Sequence, residues 1–417
     1  MKKIYSEIIT IGDEILYGHI LDSNAQWLSL ELDKLGLTTK KRITIGDNEE
    51  IILKTLKESI INNHLIIITG GLGPTNDDLT KKCLTKFFKS KLVLNKEALE
   101  EIKNLFQSRN LELTKKNKSQ AMLPECAKKI TNPNGTAPGM WFEKNSKIII
   151  SLPGVPYEMK EIVKKYCLKM IHSYFNPQVI FHKTIKTIGI GESWLADMIQ
   201  NWEKNIKKNI KLAYLPSIGQ VKLRLTATGK DKIVLKKEIN EEIEKVLPRI
   251  TKYVYGYDNE KIEECVAKLL IKNKKTIAIA ESCSGGLLSH KLTSISGSSN
   301  YFVGGIISYS DSIKNNELKI SKTILKKHGA VSEEVVKNMA KNIRIKFQSS
   351  IGVASSGIAG PTGGTKEKPV GTIWIAYSDS KGTIAKKLKF SKNRSLNIQL
   401  TSLSLLNMIR IYLIKRS

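Results

Sequence analysis

The chain has 417 residues, enough for two or three domains that each bury a core of their own. A hydrophobic fraction of 41% and a charged fraction of 26% are globular values and exclude wholesale disorder. The net charge of +29 invites a nucleic-acid reading, but 60 of the 68 basic residues are Lys and only 8 are Arg, the side chain suited to bidentate phosphate and base contacts. The excess is spread along the chain rather than gathered in a tail, so no specific nucleic-acid partner is expected.

In chain order, Glu7–Ile11 reads as a short buried strand ending at Gly12. Asn24–Leu35 carries Trp27, Leu28, Leu32 and Leu35 at helical spacing and stops at Gly36. Leu37–Ile45 reads as a strand, Glu49–Ile61 as an amphipathic helix, and Leu65–Thr69 as an apolar strand running into Gly70-Gly71-Leu72-Gly73. This βαβ rhythm is that of a parallel sheet covered by helices, and Lys147–Leu152 supplies a further buried strand. The middle differs. Val221, Leu223, Leu225 and Ala227 alternate with polar neighbours, which predicts a half-buried antiparallel strand, and a charged amphipathic helix is expected over Asp231–Val246. The last part opens with a helix at Ile262–Lys272. A buried strand at Thr276–Ala280 follows, then a tight turn at Glu281–Gly286 and a helix at Leu287–Ile295. Apolar strands are expected at Val303–Ser308, Ile351–Ala354 and Gly371–Tyr377, with a glycine-rich loop from Ser356 to Gly364. The domains expected are therefore 1–171, 172–257 and 258–417.

Five Cys with no CxxC pair, and six His with no HxH or HExxH, argue against a zinc site or a disulfide framework. The apolar run at the start is too short for a signal peptide and is followed at once by Asp13 and Glu14. No stretch approaches the ~20 apolar residues of a membrane span, so a cytoplasmic protein with no membrane partner is expected.

Two constellations carry chemistry. TGGLGPTNDDLT (Thr69–Thr80) leaves a buried strand through glycines and enters a helix, so that backbone N–H groups and the helix N-terminus face an anion. Gly70, Gly71, Gly73 and Thr75 are the candidate phosphate contacts. Asp77 and Asp78 are candidate ligands of a hard divalent cation, although acids also suit the first turn of any helix. In the last third, Ser282 follows a strand directly in AESCSGG. Such a hydroxyl stands at the sheet edge as a candidate nucleophile, with N–H groups near Gly285 and Gly286 as oxyanion donors and Ser284 as a substrate contact. Cys283 and Ser284 are rival nucleophiles, Cys283 being expected to face the core. With no supporting His, the candidate base is Lys314 in YSDSIK, made neutral by burial, with the Tyr309 phenol joining its proton relay. On its residues alone this Lys, one of 60, reads first as a solvated cation. Gly357, Gly360 and Thr362 of the glycine-rich loop, with Arg394, are candidate phosphate or ribose contacts.

Gly12-Asp13-Glu14, Asp22-Ser23-Asn24, TGGLGPTNDDLT, GTAPGM (Gly135–Met140) and LPGVPYEM (Leu152–Met159) resemble the molybdopterin-binding fold of the CinA (competence/damage-inducible) family. AESCSGG, YFVGGIISYSDSIK (Tyr301–Lys314), HGAVSEE (His328–Glu334), SGIAGPTGG (Ser356–Gly364) and EKPVGTIWIAY (Glu367–Tyr377) resemble the CinA C-terminal domain, of the nicotinamide mononucleotide amidohydrolase type. The resemblance implies an α/β multidomain protein: a molybdopterin-binding-like parallel-sheet domain, a small α+β KH-like middle domain, and a C-terminal α/β CinA domain. It implies hydrolysis of nicotinamide mononucleotide with Ser282 as nucleophile, Lys314 as base and Tyr309 adjacent, and needs no cofactor there. For the N-terminal domain it implies an ADP-ribose pyrophosphatase dependent on Mg or a similar divalent metal, with functional acids falling on Asp47 and Asp78. A homodimer is the expected assembly. The sequence departs from the family at Asp311, where Asn is usual, and at Ile398, where a second Arg is expected. KH domains grip RNA through a GxxG loop, and the middle segment has only Gly189-Ile190-Gly191. Molybdenum-cofactor synthesis would share the N-terminal turn but not the attached amidohydrolase. The alternative function is a competence- or damage-linked binding protein with one or both sites inactive.

Overall fold

The computed structural model describes residues 3–75 and 78–415. The N-terminal domain is built on strands β1 (Tyr5–Ile11), β2 (Thr38–Ile45), β3 (Leu65–Thr69), β4 (Leu92–Leu94), β5 (Met122–Pro124), β6 (Lys128–Ile130), β7 (Gly139–Lys144) and β8 (Lys147–Leu152). Six of them form a sheet of order β2-β1-β3-β8-β7-β6. The expected parallel sheet holds for β2, β1, β3 and β8, and two antiparallel strands, β7 and β6, complete it. All five residues of β3 are buried, because helices cover both faces and leave no polar side to the strand. Alternate side chains feed two cores: Ile8, Ile67 and Ile150 pack with Leu28 and Leu32 on one face, and Ile9, Ile66 and Ile149 pack with Leu56 and Cys83 on the other. Asp22 caps the helix Ser23–Lys34 by accepting from the Ala25 N–H at 2.9 Å, and Asn48 caps Glu49–Asn62 in the same way.

The middle sheet has strands β9 (Val179–Ile188), β10 (Ile210–Ser217), β11 (Gln220–Gly229) and β12 (Val254–Tyr257) in the order β10-β11-β9-β12. Along β11, Val221, Leu223, Leu225 and Ala227 are buried, as their period of two requires. The following helix runs over Lys232–Ile250, four residues beyond the expected end, and continues through Pro248.

The third sheet has strands β13 (Ile277–Glu281), β14 (Phe302–Ile307), β15 (Ile351–Gly357), β16 (Thr372–Asp379) and β17 (Gly382–Lys389) in the order β14-β13-β15-β16-β17. β14, β13 and β15 run parallel, and β16 and β17 antiparallel. The chain divides into two compact units, one holding 1–181 with 228–236 and the other 182–227 with 237–417, so most of the middle domain belongs with the C-terminal domain. The core of that second unit joins Ile188 and Tyr255 of the middle sheet to Leu405, Leu406 and Ile409 of the helix Arg394–Lys415. Arg410 on this helix is 2% exposed. Its guanidinium donates to the carbonyls of Val254 (2.8 Å) and Lys252 (2.6 Å) and to Asn407 Oδ1. Among the described residues no helix is long and apolar enough to cross a membrane.

Arg410→Leu leaves two main-chain carbonyls and the Asn407 amide oxygen without their donor and removes a buried side chain's only polar anchor points. The expected result is a loss of about 3 kcal/mol, read as a lower denaturation midpoint; an unchanged midpoint would show that the clamp contributes nothing.

Candidate functional site

At the C-terminal edge of the third sheet, β13 ends at Glu281 and the chain turns through Ser282–Gly286 into the helix Leu287–Thr293. Gly286 takes φ 98°, a left-handed conformation that side chains disfavour, and a Cβ there would press on Ile307. Parallel pairing puts Ser355 of β15 beside Glu281, and the Ser355 carbonyl accepts from the Ser282 N–H at 3.1 Å. β14 leads through Tyr309 into the short helix Asp311–Asn316, which carries Lys314 inward. Lys314 Nζ lies 3.4 Å from Ser282 Oγ and donates to the Tyr309 carbonyl at 3.1 Å. Lys314 is 1% exposed and Ser282 7%. Burial lowers the Lys314 pKa, and the Asp311 carboxylate, 3.8 Å away and largely in water, opposes that shift.

Two expectations are corrected here. Lys314 meets the backbone carbonyl of Tyr309; the phenol accepts a hydrogen bond from Arg394 Nη2 at 3.1 Å. The amides of Gly285 and Gly286 are spent. Gly285 N–H donates to the Ser282 carbonyl, and Gly286 N–H to Glu281 Oε2 at 3.0 Å. Glu281 is 1% exposed and also accepts from the Leu288 and Ser289 N–H groups and the Ser289 hydroxyl. Its carboxylate fills the helix N-terminus that an oxyanion was expected to use. Among the described residues, the turn's bonds leave the N–H groups of Cys283 and Ser284 unspent. Glu281 was legible only as a motif letter, because nothing in the sequence says that its side chain folds back over the turn.

Of the rival nucleophiles, Cys283 packs in the core and burial pushes its thiol up to about 12, and Ser284 Oγ is paired with Ser355 Oγ at 2.7 Å. Arg394 joins the glycine-rich loop to Tyr309, since its Nη1 donates to the Gly360 carbonyl at 2.9 Å. Gly357 ends β15 against Ile373, and Thr362 is exposed on the loop. A cavity of about 580 Å³ beside Arg394 is walled by Leu287, Ile398 and Leu403 and carries Lys291 as a second cation.

In the N-terminal domain a cavity of about 500 Å³ brings together Gly70, Gly71, Gly73, Asp47 and Asp78 with Glu14, Asn24 and Gln120. Gly70 has φ 108°, and a Cβ on it would collide with the Ile11 carbonyl. Thr75 is exposed, and both its N–H and its hydroxyl go to Asp78 Oδ2. Burial pushes the Asp47 carboxyl up. A backbone hydrogen bond from Asp13 opposes this, and the charges of Asp13, Glu14 and Asp78 push it further. Carboxylates that repel one another suit a hard divalent cation in donor chemistry and in charge. Among the described residues, however, no three His, Cys, Asp or Glu converge as a ready cage, and Asp77 lies outside them. Lys81, at the start of the next helix, is drawn down to about 8 by burial against the pull of Asp78, and donates to the Gln120 carbonyl at 3.1 Å.

A parallel sheet with a glycine turn at its C-terminal edge, a four-stranded α+β middle domain and a second α/β sheet bearing a Ser–Lys pair define a class of multidomain α/β proteins. Family models described as "Probable molybdopterin binding domain", "Damage-inducible protein CinA KH domain" and "CinA C-terminal domain" match residues 7–173, 182–256 and 259–413. A CinA-like protein of Cytophaga hutchinsonii is 50% identical over 98% of this chain and 97% of its own length. A putative competence-damage inducible protein of a Thermoanaerobacter species is 43% identical over 98% of each. The chain belongs to the CinA family. A crystal structure of a CinA protein from Thermoplasma acidophilum, 29% identical, covers 42% of this chain and 99% of its own, with a TM-score of 0.38.

Asp311→Asn removes the charge that favours the Lys314 ammonium, so the pH at which this amine titrates, followed by NMR, should move lower. A titration that stays in place or moves up would show that Asp311 does not stabilise the ammonium.

Proposed function

We propose that the C-terminal domain hydrolyses the carboxamide of nicotinamide mononucleotide to nicotinate mononucleotide and ammonia, and that the N-terminal domain is a metal-dependent ADP-ribose pyrophosphatase, both serving pyridine-nucleotide salvage. One observation carries the first reading: a lysine amine with almost no water around it stands 3.4 Å from the hydroxyl of a serine at the sheet edge. That separation is long for a hydrogen bond, as is common before substrate tightens a site. The substrates follow from the likeness to the CinA family.

Neutral Lys314 takes the Ser282 proton as Oγ bonds to the carboxamide carbon. The oxyanion is stabilised by the N–H groups of Cys283 and Ser284, the donors the turn leaves unspent. Lys314 returns the proton to the departing nitrogen, the C–N bond breaks and ammonia leaves. Water then attacks the acyl ester, giving its proton to Lys314, and the nicotinate product and the Ser282 hydroxyl are regenerated. Arg394, anchored between the Gly360 carbonyl and the Tyr309 phenol, would meet the nucleotide phosphate. In the N-terminal cavity Asp47 and Asp78 would hold the cation, which supplies charge neutralisation at the pyrophosphate and an activated water. The amides of the Gly70–Gly73 turn would hold the phosphates.

Ser282→Ala should lower ammonia release from nicotinamide mononucleotide by a factor of about 10³ or more, and Lys314→Met by about 10² to 10³, with circular dichroism unchanged. Wild-type rates in Ser282→Ala would overturn the assignment, and binding of the nucleotide without turnover by wild type would favour the binding-protein function. Chelation by EDTA should abolish cleavage of ADP-ribose and leave ammonia release intact, and Asp47→Asn should reproduce the first effect alone. Equal loss of both activities on chelation would contradict the division of labour.

A further inference from the structure

We propose that a basic groove in the second compact unit, running from Arg394 through Lys291 to Lys261 and Lys186, binds an organic diphosphate of the nucleoside-diphosphate or dinucleotide class, with successive phosphates on successive cations. The groove shares Arg394 with the proposed amidase site but needs no turnover there.

Two cavities make the groove. The larger, of about 580 Å³, has Arg394 and Lys291 as its cations. The smaller, of about 360 Å³, lies where the middle sheet meets the start of the helix Ile262–Lys272, and its cations are Lys291, Lys261 and Lys186. Lys291 and Leu403 line both, so the two are continuous. Each has the volume of a small-molecule site. Against four cations the described walls hold one acid, Glu263. Lys261 and Arg394 are exposed and the Lys291 side chain is 25% exposed, so these three are open to a ligand.

Lysine clusters are ordinary on a chain with 60 Lys, and this one is set apart by its neighbours. Lys186 is only 9% exposed, and its Nζ donates to a neutral partner, the Glu260 carbonyl, at 2.5 Å. The Glu260 carboxylate is taken by Lys268 at 2.8 Å and by the Tyr257 N–H at 2.9 Å. Glu264 accepts from the Lys261 main-chain N–H. Glu263 stands 3.7 Å from Lys291 and compensates it weakly. Among the described residues no ion pair takes up Lys186 or Lys261. Burial and the charge of Lys222 lower the Lys186 pKa, and Glu264, Glu260 and Glu263 oppose this.

A cleft walled by one sign of charge concentrates ligands of the other. A single phosphate meets the cations of one cavity, and a second phosphate linked to it reaches those of the next, each contact being charge-assisted. Leu287, Ile398 and Leu403 at the Arg394 end, and Ile218, 46% exposed, at the other, give the organic part apolar surface. The cations are gathered in two joined hollows rather than along an open strip, which favours a small ligand over a nucleic-acid strand.

The test uses the full chain in EDTA, which keeps metal out of the N-terminal cavity. The probes are AMP, with one phosphate, and α,β-methylene-ADP, with two and resistant to cleavage. Calorimetric titration should show the diphosphate bound about tenfold more tightly. Lys261→Gln, at an exposed position, should bring the probes within about threefold of each other and leave AMP as in wild type. Bound α,β-methylene-ADP should also protect Lys261 and Lys291 from acetylation, read by peptide mass, with lysines of the N-terminal domain as reactive as before. An unchanged ratio in Lys261→Gln, equal weakening of both probes, or protection confined to the N-terminal domain would overturn the inference. So would tighter binding of a single-stranded RNA that the same variant abolishes. Failure of the deamidase reading shows in ammonia release alone, and failure of this one in the probe ratio alone.

Discussion

The Lys314 amine sits where water does not reach and where its nearest carboxylate, Asp311, is 3.8 Å away and mostly solvated. An ammonium there keeps only weak compensation for lost hydration, so the uncharged amine gains in population. The rest of the C-terminal domain is arranged around that constraint. The short helix Asp311–Asn316 carries the side chain inward, the Tyr309 carbonyl gives it a fixed acceptor, and the parallel pairing of β13 with β15 sets the serine within reach. Glu281 shows the complementary solution. This buried side chain is ringed by N–H and O–H donors, and in accepting from them it stiffens the turn that presents Ser282.

The two sites start from one device, a fully buried parallel strand that ends in a glycine turn with positive φ. They diverge in what fills the turn. After β3 the amides open into a cavity flanked by acids, a setting for a phosphate with its counterion. After β13 a side chain of the protein itself takes the helix N-terminus, and a serine hydroxyl and a lysine amine stand together beside it.

Much of this was readable in the sequence, because strongly patterned segments have few alternatives. The βαβ run to Leu65–Thr69, the period-two strand at Val221–Ala227 and the helix Ile262–Lys272 fall where hydrophobic spacing puts them. Strand β17 escaped notice because GTIAKKLK is half-exposed at the sheet edge and carries lysines where a central strand would carry apolar residues. Ser282 and Lys314 could be named from strand-end position and family likeness, but the partner of each donor could not. The Gly286 amide looked free because a glutamate five residues back gives no sign of folding over it, and Tyr309 looked like a relay because a phenol is conspicuous in a sequence and a main-chain carbonyl is not.

The helix Arg394–Lys415 begins at the Tyr309–Gly360 contact and, further along, is bolted to the middle sheet through Arg410, with Leu405, Leu406 and Ile409 in the same core as Ile188 and Tyr255. That seam dictates where the polypeptide tolerates cutting. Severing it near residue 257 would strip an oily flank from the C-terminal half and orphan a guanidinium inside it. An autonomous version of that half would need polar replacements along one face of its last helix before it stayed dispersed in water.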